Sequence, residues 1–100
     1  MSVEYNDFAT RDARLVILRA LHAQTDGRLN EVILLAELDR FGHRRSREWV
    51  RTQIEALREL GAVAVNEAGS VKIAAITRLG IDHVERRIVI DGVDKPSPVN

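Results

Sequence analysis

The chain has 100 residues, which is enough for one domain with a modest core and too few for two. It holds 15 basic and 15 acidic side chains, so its formal net charge is zero, and it contains no cysteine. These values exclude a disulfide scaffold, a thiolate metal site and a uniformly basic protein surface that would bind nucleic acid or membrane. We expect a domain over residues 1–90 in the cytoplasm, with neither a signal peptide nor a membrane span.

Apolar residues recur with helical spacing in three segments of the first sixty residues. The first clear helical segment covers 12–23 and is densely apolar, so we expect it to be buried; its start stays open, because Asn6, Asp7 and Thr10 could each be the N-cap. The second covers 30–41 with Asn30 as N-cap, and the third covers 47–60 with Ser46 as N-cap. Gly42 and Gly61 are positioned to end the second and third helices. The short connection over 43–45 makes this pair a predicted helix-turn-helix.

After Gly61 the apolar period changes from 3.6 to 2. Valine or isoleucine occupies every second position, at 63 and 65 and again at 71 and 73. This alternation predicts a two-stranded hairpin around a loop at 66–70. Thr77 is the predicted N-cap of a last helix that reaches about residue 89. The final ten residues hold Gly92, Pro96 and Pro98, so we expect an extended or disordered tail over 91–100. The predicted class is mainly α with a small β-hairpin, in the order α-α-α-β-β-α of a winged helix-turn-helix.

Positive charge is concentrated at the predicted turn and third helix. Residues 40–58 contain six arginines and two glutamates, a net charge of +4 in a neutral chain. If this segment binds double-stranded DNA, the candidate contacts are Arg44, Arg45, Ser46, Arg47, Arg51, Thr52 and Lys72. The arginines would contact phosphates or guanine edges, Ser46 would contact a phosphate, and Thr52 would contact a base. Lys72 would make a weak contact from the predicted hairpin, which is the wing of this fold.

Other features of the sequence favour a different interpretation. The same arginines are also typical of a solvated face that keeps a small protein soluble. Glu48, Glu55 and Glu59 flank the predicted third helix, and the wing offers Glu67; Glu48 could instead accept from cytosine. The alternative function is therefore a protein-interaction module that uses the winged helix as a scaffold for a partner protein; the family resemblance described below would make that partner a phage or host protein, or the chain a subunit of a packaging complex.

Motifs for catalysis or metal binding do not stand out. The three histidines have no paired spacing, and there is no phosphate-binding glycine loop or nucleophile elbow. We therefore expect no enzymatic activity, metal or cofactor. Trp49 lies at the margin of the predicted core stripe, which favours a structural role over base stacking. Apolar residues of the first and last helices, such as Ile17 and Ile81, are mostly core, and some are candidates for a homodimer contact.

Several short segments, spread over nearly the whole chain, are similar to segments of a known protein family. They are 14–21, 57–61, 76–82 and 92–98, together with Asn30 and Leu34, Gly42-His43, Ser46-Arg47 and Val50-Arg51. These segments resemble a family of small winged-helix proteins of Mu-like bacteriophages and prophages, which are often labelled relatives of ArsR-type repressors. The resemblance implies a winged helix-turn-helix, a bacterial cytoplasm and DNA binding in transcription regulation or in the late packaging region. Metal sensing does not carry over, because Asp82, His83 and Glu85 lack the spacing of the ArsR metal sensors.

Overall fold

The computed structural model describes residues 3–97, and the side chains from residue 7 onward. This part of the chain forms four helices and one three-stranded antiparallel sheet. In chain order the elements are α1 (Val3–His22), β1 (Arg28–Asn30), α2 (Glu31–Arg40), α3 (Arg47–Glu59), β2 (Val63–Ala68), β3 (Val71–Ile76) and α4 (Arg78–Val84). The mainly helical class and the predicted order of helices and hairpin are confirmed, and the arrangement is consistent with a winged-helix-like domain.

The sheet has one strand more than the predicted hairpin. Strand β3 lies in the centre and pairs with β2 on one side and with β1 on the other, where Leu29 lies opposite Ala74. Strand β1 has only three residues, so it is too short to show a period of two, and only the distant β3 makes it a strand. Asn30 ends β1 and caps α2 as predicted, its Oδ1 accepting from the Val32 and Ile33 N–H groups at 2.9 and 3.0 Å.

Two predicted boundaries were wrong, and one left open is now placed. Helix α1 begins at Val3, before each of the possible caps, and the hairpin loop shrinks to Gly69 and Ser70 because both strands extend further. Helix α4 ends at Val84 rather than near residue 89. Its end is set by Arg86, whose left-handed backbone (φ 66°) lets the Arg87 N–H donate to the Asp82 carbonyl at 2.7 Å.

The core lies where the three longer helices meet the sheet. Its fully buried large apolar side chains are Ile17, Leu18, Leu21, Leu34, Leu38, Val50, Ile54 and Leu57. The predicted burial of the first helix is confirmed. Ile17, a candidate dimer contact, is completely enclosed, whereas Ile81 is half-buried. No helix within residues 3–97 combines the length and hydropathy needed to cross a bilayer.

The segment after α4 folds back onto the domain. Ile90 and Val93 are buried, and the Asp94 N–H donates to the Arg11 carbonyl of α1 at 3.1 Å. His83 Nδ1 accepts from the Ile90 N–H, so its Nε2 carries the proton and donates to the Asp94 carbonyl at 2.8 Å. The predicted tail therefore has no helix or strand over 91–97, yet it is held against α1 and α4. Residues 98–100 lie outside the described residues.

Candidate functional site

The connection between α2 and α3 places the basic segment at one end of the molecule. His43 Nε2 lies 2.7 Å from Asp12 Oδ2, which ties the connection to α1. The Ser46 hydroxyl accepts from the Trp49 N–H at 3.1 Å, so the predicted N-cap is confirmed. Because α3 begins at Arg47, the side chains of Arg47 and Arg51 lie one turn apart on the same face.

A buried carboxylate holds these two arginines together. Glu31, the first residue of α2, has no exposed surface, and its Oε2 accepts from Arg47 Nε at 2.6 Å and from Arg51 Nε at 2.5 Å. Its Oε1 accepts from the backbone N–H of Lys72 in β3 at 2.6 Å. The Glu31 side chain thus joins α2, α3 and the β2–β3 hairpin, which is the predicted wing.

The charge of Glu31 is stabilised by its three donors. Burial acts to raise the pKa of this carboxyl, but the hydrogen bonds from Arg51, Arg47 and the Lys72 N–H outweigh burial and lower its pKa to about 2. The same bond raises the pKa of the Arg51 guanidinium. Glu31 is therefore ionised at neutral pH, and it offsets one of the two positive charges on the face of α3.

Arg44 and Arg45 lie beyond this cluster, at the surface. The Arg44 side chain is 89% exposed and pairs with Asp39 at 3.0 Å, a surface ion pair that is easily broken. The Arg45 guanidinium lies over the Trp49 ring, 4.6 Å from its centroid. Trp49 is half-buried and packs against the core, as the prediction of a structural role requires.

The remaining predicted contacts are engaged in local interactions. The Lys72 ammonium lies 3.3 Å from Glu67 and 3.6 Å from Glu55, so two carboxylates offset its charge. The Thr52 hydroxyl donates to the Glu48 carbonyl one turn earlier in α3, at 3.0 Å. Arg51 Nη2 donates to the Ser70 carbonyl in the hairpin turn at 2.8 Å. The wing is thus fastened to α3 and adds little net positive charge.

The structure brings Arg47, Arg51 and the backbone of Lys72 together, with Arg44, Arg45 and Ser46 next to them. Sequence reasoning missed Glu31, the residue that makes this cluster. A glutamate directly after an N-cap is ordinarily explained by the helix dipole, so the sequence carries no separate signal for a buried role. The partners of Glu31 lie on two other elements, and only the packing of α2 against α3 and β3 reveals them.

A second surface feature lies on α2. Val32 and Ile33 are about half exposed, and Phe41, just after the helix, is 61% exposed. Val32 forms an open apolar face with Leu35 and Ala36 beside Arg44 and Arg45. Phe41 instead lies beside Leu15 and Val16 of α1. Residues 7–97 contain no group of three or more His, Asp or Glu side chains that converges as a metal ion would need.

The fold and this site define a small winged-helix-like domain whose basic end is built around a buried glutamate. A protein of Escherichia phage Mu, named Uncharacterized protein gp26, is 41% identical over 93 residues, which are 93% of this chain and 96% of that protein. An Uncharacterized protein of Haemophilus influenzae is 34% identical over 77 residues, 76% of this chain and 74% of that protein. The chain belongs to the family of the phage Mu protein gp26.

The predicted resemblance to proteins of Mu-like phages is thereby confirmed. No protein-family model matches the chain, and no solved structure matches it. The relation to ArsR-type repressors stays a prediction, and neither relative's name states an activity.

Proposed function

We propose that this protein binds double-stranded DNA through the beginning of α3 and the turn before it, and that it acts in the control of phage transcription. The observation that carries the proposal is the group of three neighbouring guanidinium groups, those of Arg44, Arg45 and Arg47. Of these, Arg44 has 89% of its side chain exposed and Arg47 has 40%. The N-terminus of α3 adds the positive end of a helix dipole. A phosphate backbone offers the complementary charge.

The acidic groups near this surface limit the contact to the end of the helix. Glu48 and Glu59 are exposed on the flank of α3, while Glu55 is bound to Arg58 at 2.8 Å. Lys72 of the wing is already paired with carboxylates. The proposal therefore assigns the DNA contact mainly to the α3 terminus and not to the wing.

The experiment replaces Arg44 and Arg45 by glutamine and measures binding to labelled duplex DNA by fluorescence anisotropy at about 50 mM salt. Neither arginine forms a hydrogen bond or ion pair with a buried group, so the variant is expected to fold. We expect its affinity to fall about tenfold or more, because two phosphate contacts are lost. The matched control, Arg78→Gln with Arg86→Gln, removes the same charge from exposed positions at the start of α4 and just after its end, and is expected to bind within about twofold of wild type.

Wild-type protein that is not retained by any duplex at low salt would contradict the proposal. Equal affinity of the Arg44→Gln, Arg45→Gln variant and wild type would contradict it too.

A protein contact is the second candidate function, and the open apolar face of α2 favours it. Exposed apolar patches on a small domain often mark protein interfaces, and Val32 is the most exposed large apolar side chain of this face. The partner would be a phage or host protein or a second copy of this chain. Absence of DNA binding by wild-type protein would favour this candidate over the first.

A further inference from the structure

Arg47 and Arg51 carry the same charge on the same face of α3, but their guanidinium groups are bound differently. Both donate their Nε to Glu31 Oε2. Arg51 also donates Nη2 to the Ser70 carbonyl, so it bridges the buried carboxylate and the hairpin turn. The two terminal nitrogens of Arg47 have no hydrogen-bond partner among the side chains and backbone of the described residues.

We propose that Arg47 is the residue that reads sequence, by donating both terminal nitrogens to a guanine. In the same proposal Arg51 and Glu31 are positioning residues that hold Arg47 and the wing in place. This inference rests on the proposed function. It divides the arginine pair into one residue that faces the DNA and one that faces the protein.

The chemistry follows from which nitrogens remain free. A guanidinium whose Nε is occupied presents Nη1 and Nη2 as two parallel donors, and this pair matches two adjacent acceptors. The O6 and N7 atoms of guanine in the major groove form such a pair, and so do two oxygens of one phosphate. Arg47 lies in the first turn of α3, the part of a recognition helix that reaches base edges, and this position favours the guanine.

Glu31 restricts how Arg47 can move. An arginine normally loses considerable side-chain entropy when it binds a single target. Here Glu31 is fully buried and fixed by the Lys72 N–H, and its bond to Arg47 Nε removes much of that freedom before DNA arrives. A fixed guanidinium discriminates between bases, whereas a mobile one finds the nearest phosphate.

The experiment selects bound duplexes from a library with a randomised central segment, using wild type, Arg47→Lys and Arg51→Lys. Lysine keeps the positive charge and leaves Glu31 with a cation nearby, but it cannot form two parallel hydrogen bonds. We expect wild type to select a motif with a preferred guanine. Arg47→Lys should reduce the preference for that guanine about 10- to 100-fold, and Arg51→Lys should keep the preference within about threefold.

A third variant, Glu31→Gln, tests the positioning role. With the carboxylate neutralised, both arginines can turn toward phosphates, so the dependence of affinity on salt should become steeper by about two in log-log slope, about one for each arginine, while the guanine preference falls. A residue that merely stabilises the fold would leave the slope and the preference of the folded protein unchanged. If Glu31→Gln does not fold, the two lysine variants still decide the assignment of Arg47.

The outcomes separate this inference from the proposed function. Wild type that binds duplexes without preference for any sequence overturns the inference and leaves DNA binding standing. Uniform weakening of all sequences by Arg47→Lys assigns Arg47 to phosphate, which overturns it as well. Loss of the guanine preference in Arg51→Lys, with its retention in Arg47→Lys, would reverse the two roles. Wild type that binds no duplex refutes both proposals.

Discussion

Glu31 determines how the arginines of α3 are presented. An ionised carboxylate without solvent contact is costly to bury unless donors surround it, and here two guanidinium groups and one backbone N–H do so. The arginines keep 40% and 36% of their side chains exposed, so the cluster lies at the edge of the core. This arrangement couples the proposed binding surface directly to the stability of the fold.

The lowered pKa of Glu31 predicts that stability falls in acid. Because the folded pKa is about 2 and the usual value is 4.5, the unfolded chain binds more protons between these two pH values. The contribution of Glu31 is therefore complete above about pH 5 and is lost as the pH falls toward 2. We expect a loss on the order of 2–3 kcal/mol in the free energy of unfolding, measured by urea titration across this range.

The control for this prediction is Glu31→Gln, which removes the titrating group. The variant should be less stable than wild type at neutral pH and should lose less stability as the pH falls. If the free energies of unfolding of the two proteins fall equally as the pH is lowered, other carboxylates cause the loss of stability.

At the scale of elements, the packing of α4 depends on one glycine. A Cβ atom on Gly80 would lie 2.4 Å from the Ala62 carbonyl oxygen and 2.7 Å from an Ile76 side-chain carbon. The same carbonyl accepts from the Thr77 N–H at 3.0 Å, so it cannot move away without losing that bond. Gly80 is therefore present because α4 approaches the backbone before β2 closely. The same helix carries His83, which holds residues 90–94, so the position of α4 also determines that of the C-terminal segment.

We predict that Gly80→Ala destabilises the protein although alanine is the better helix former. The steric conflict is expected to cost about 2–3 kcal/mol, which exceeds the gain of about 1 kcal/mol in helix propensity. Thermal denaturation should therefore show a clearly lower melting temperature.

Gly42→Ala provides the comparison, because no atom lies within 4 Å of its Cβ position and only its positive φ of 93° opposes the change. It should cost about 1 kcal/mol. A Gly80→Ala protein as stable as wild type would refute the close approach of α4.

At the scale of the whole molecule, a net charge of zero hides a separation of charge. The segment 40–58 carries +4 and the rest of the chain carries −4. The sequence suggests four arginine contacts per protomer, but Glu31 offsets one charge and Arg51 is bound to the wing. The structure therefore leaves three arginines for phosphate or base contacts at one end of the molecule.

We predict that the logarithm of DNA affinity falls with the logarithm of salt concentration with a slope of roughly −2 for one bound protomer, because Arg44 and Arg45 contact phosphates while Arg47 contacts guanine, and twice that for a dimer. Anisotropy titrations at several salt concentrations measure the slope. If two copies associate through the α2 face, Val32→Ser should halve the slope of a dimeric wild type. A slope near zero would contradict binding through phosphates.

The sequence by itself determined the elements whose signals are local. Helical periodicity, the caps Asn30, Ser46 and Thr77, and the change of period after Gly61 are written in consecutive residues, so the order of helices and hairpin was predictable. The concentration of arginines at the turn was equally visible, because charge can be counted along the chain.

Only the tertiary structure decided the features that depend on residues far apart in the chain. Strand β1 exists because it pairs with β3, and the segment after α4 lies against the domain because His83 and Arg11 bind the backbone of Asp94. The roles of Arg47 and Arg51 diverge because Glu31 and Ser70 reach them from other elements. Periodicity and charge counting describe which face a side chain occupies, whereas the partner it finds there is set by the packing of one element against another.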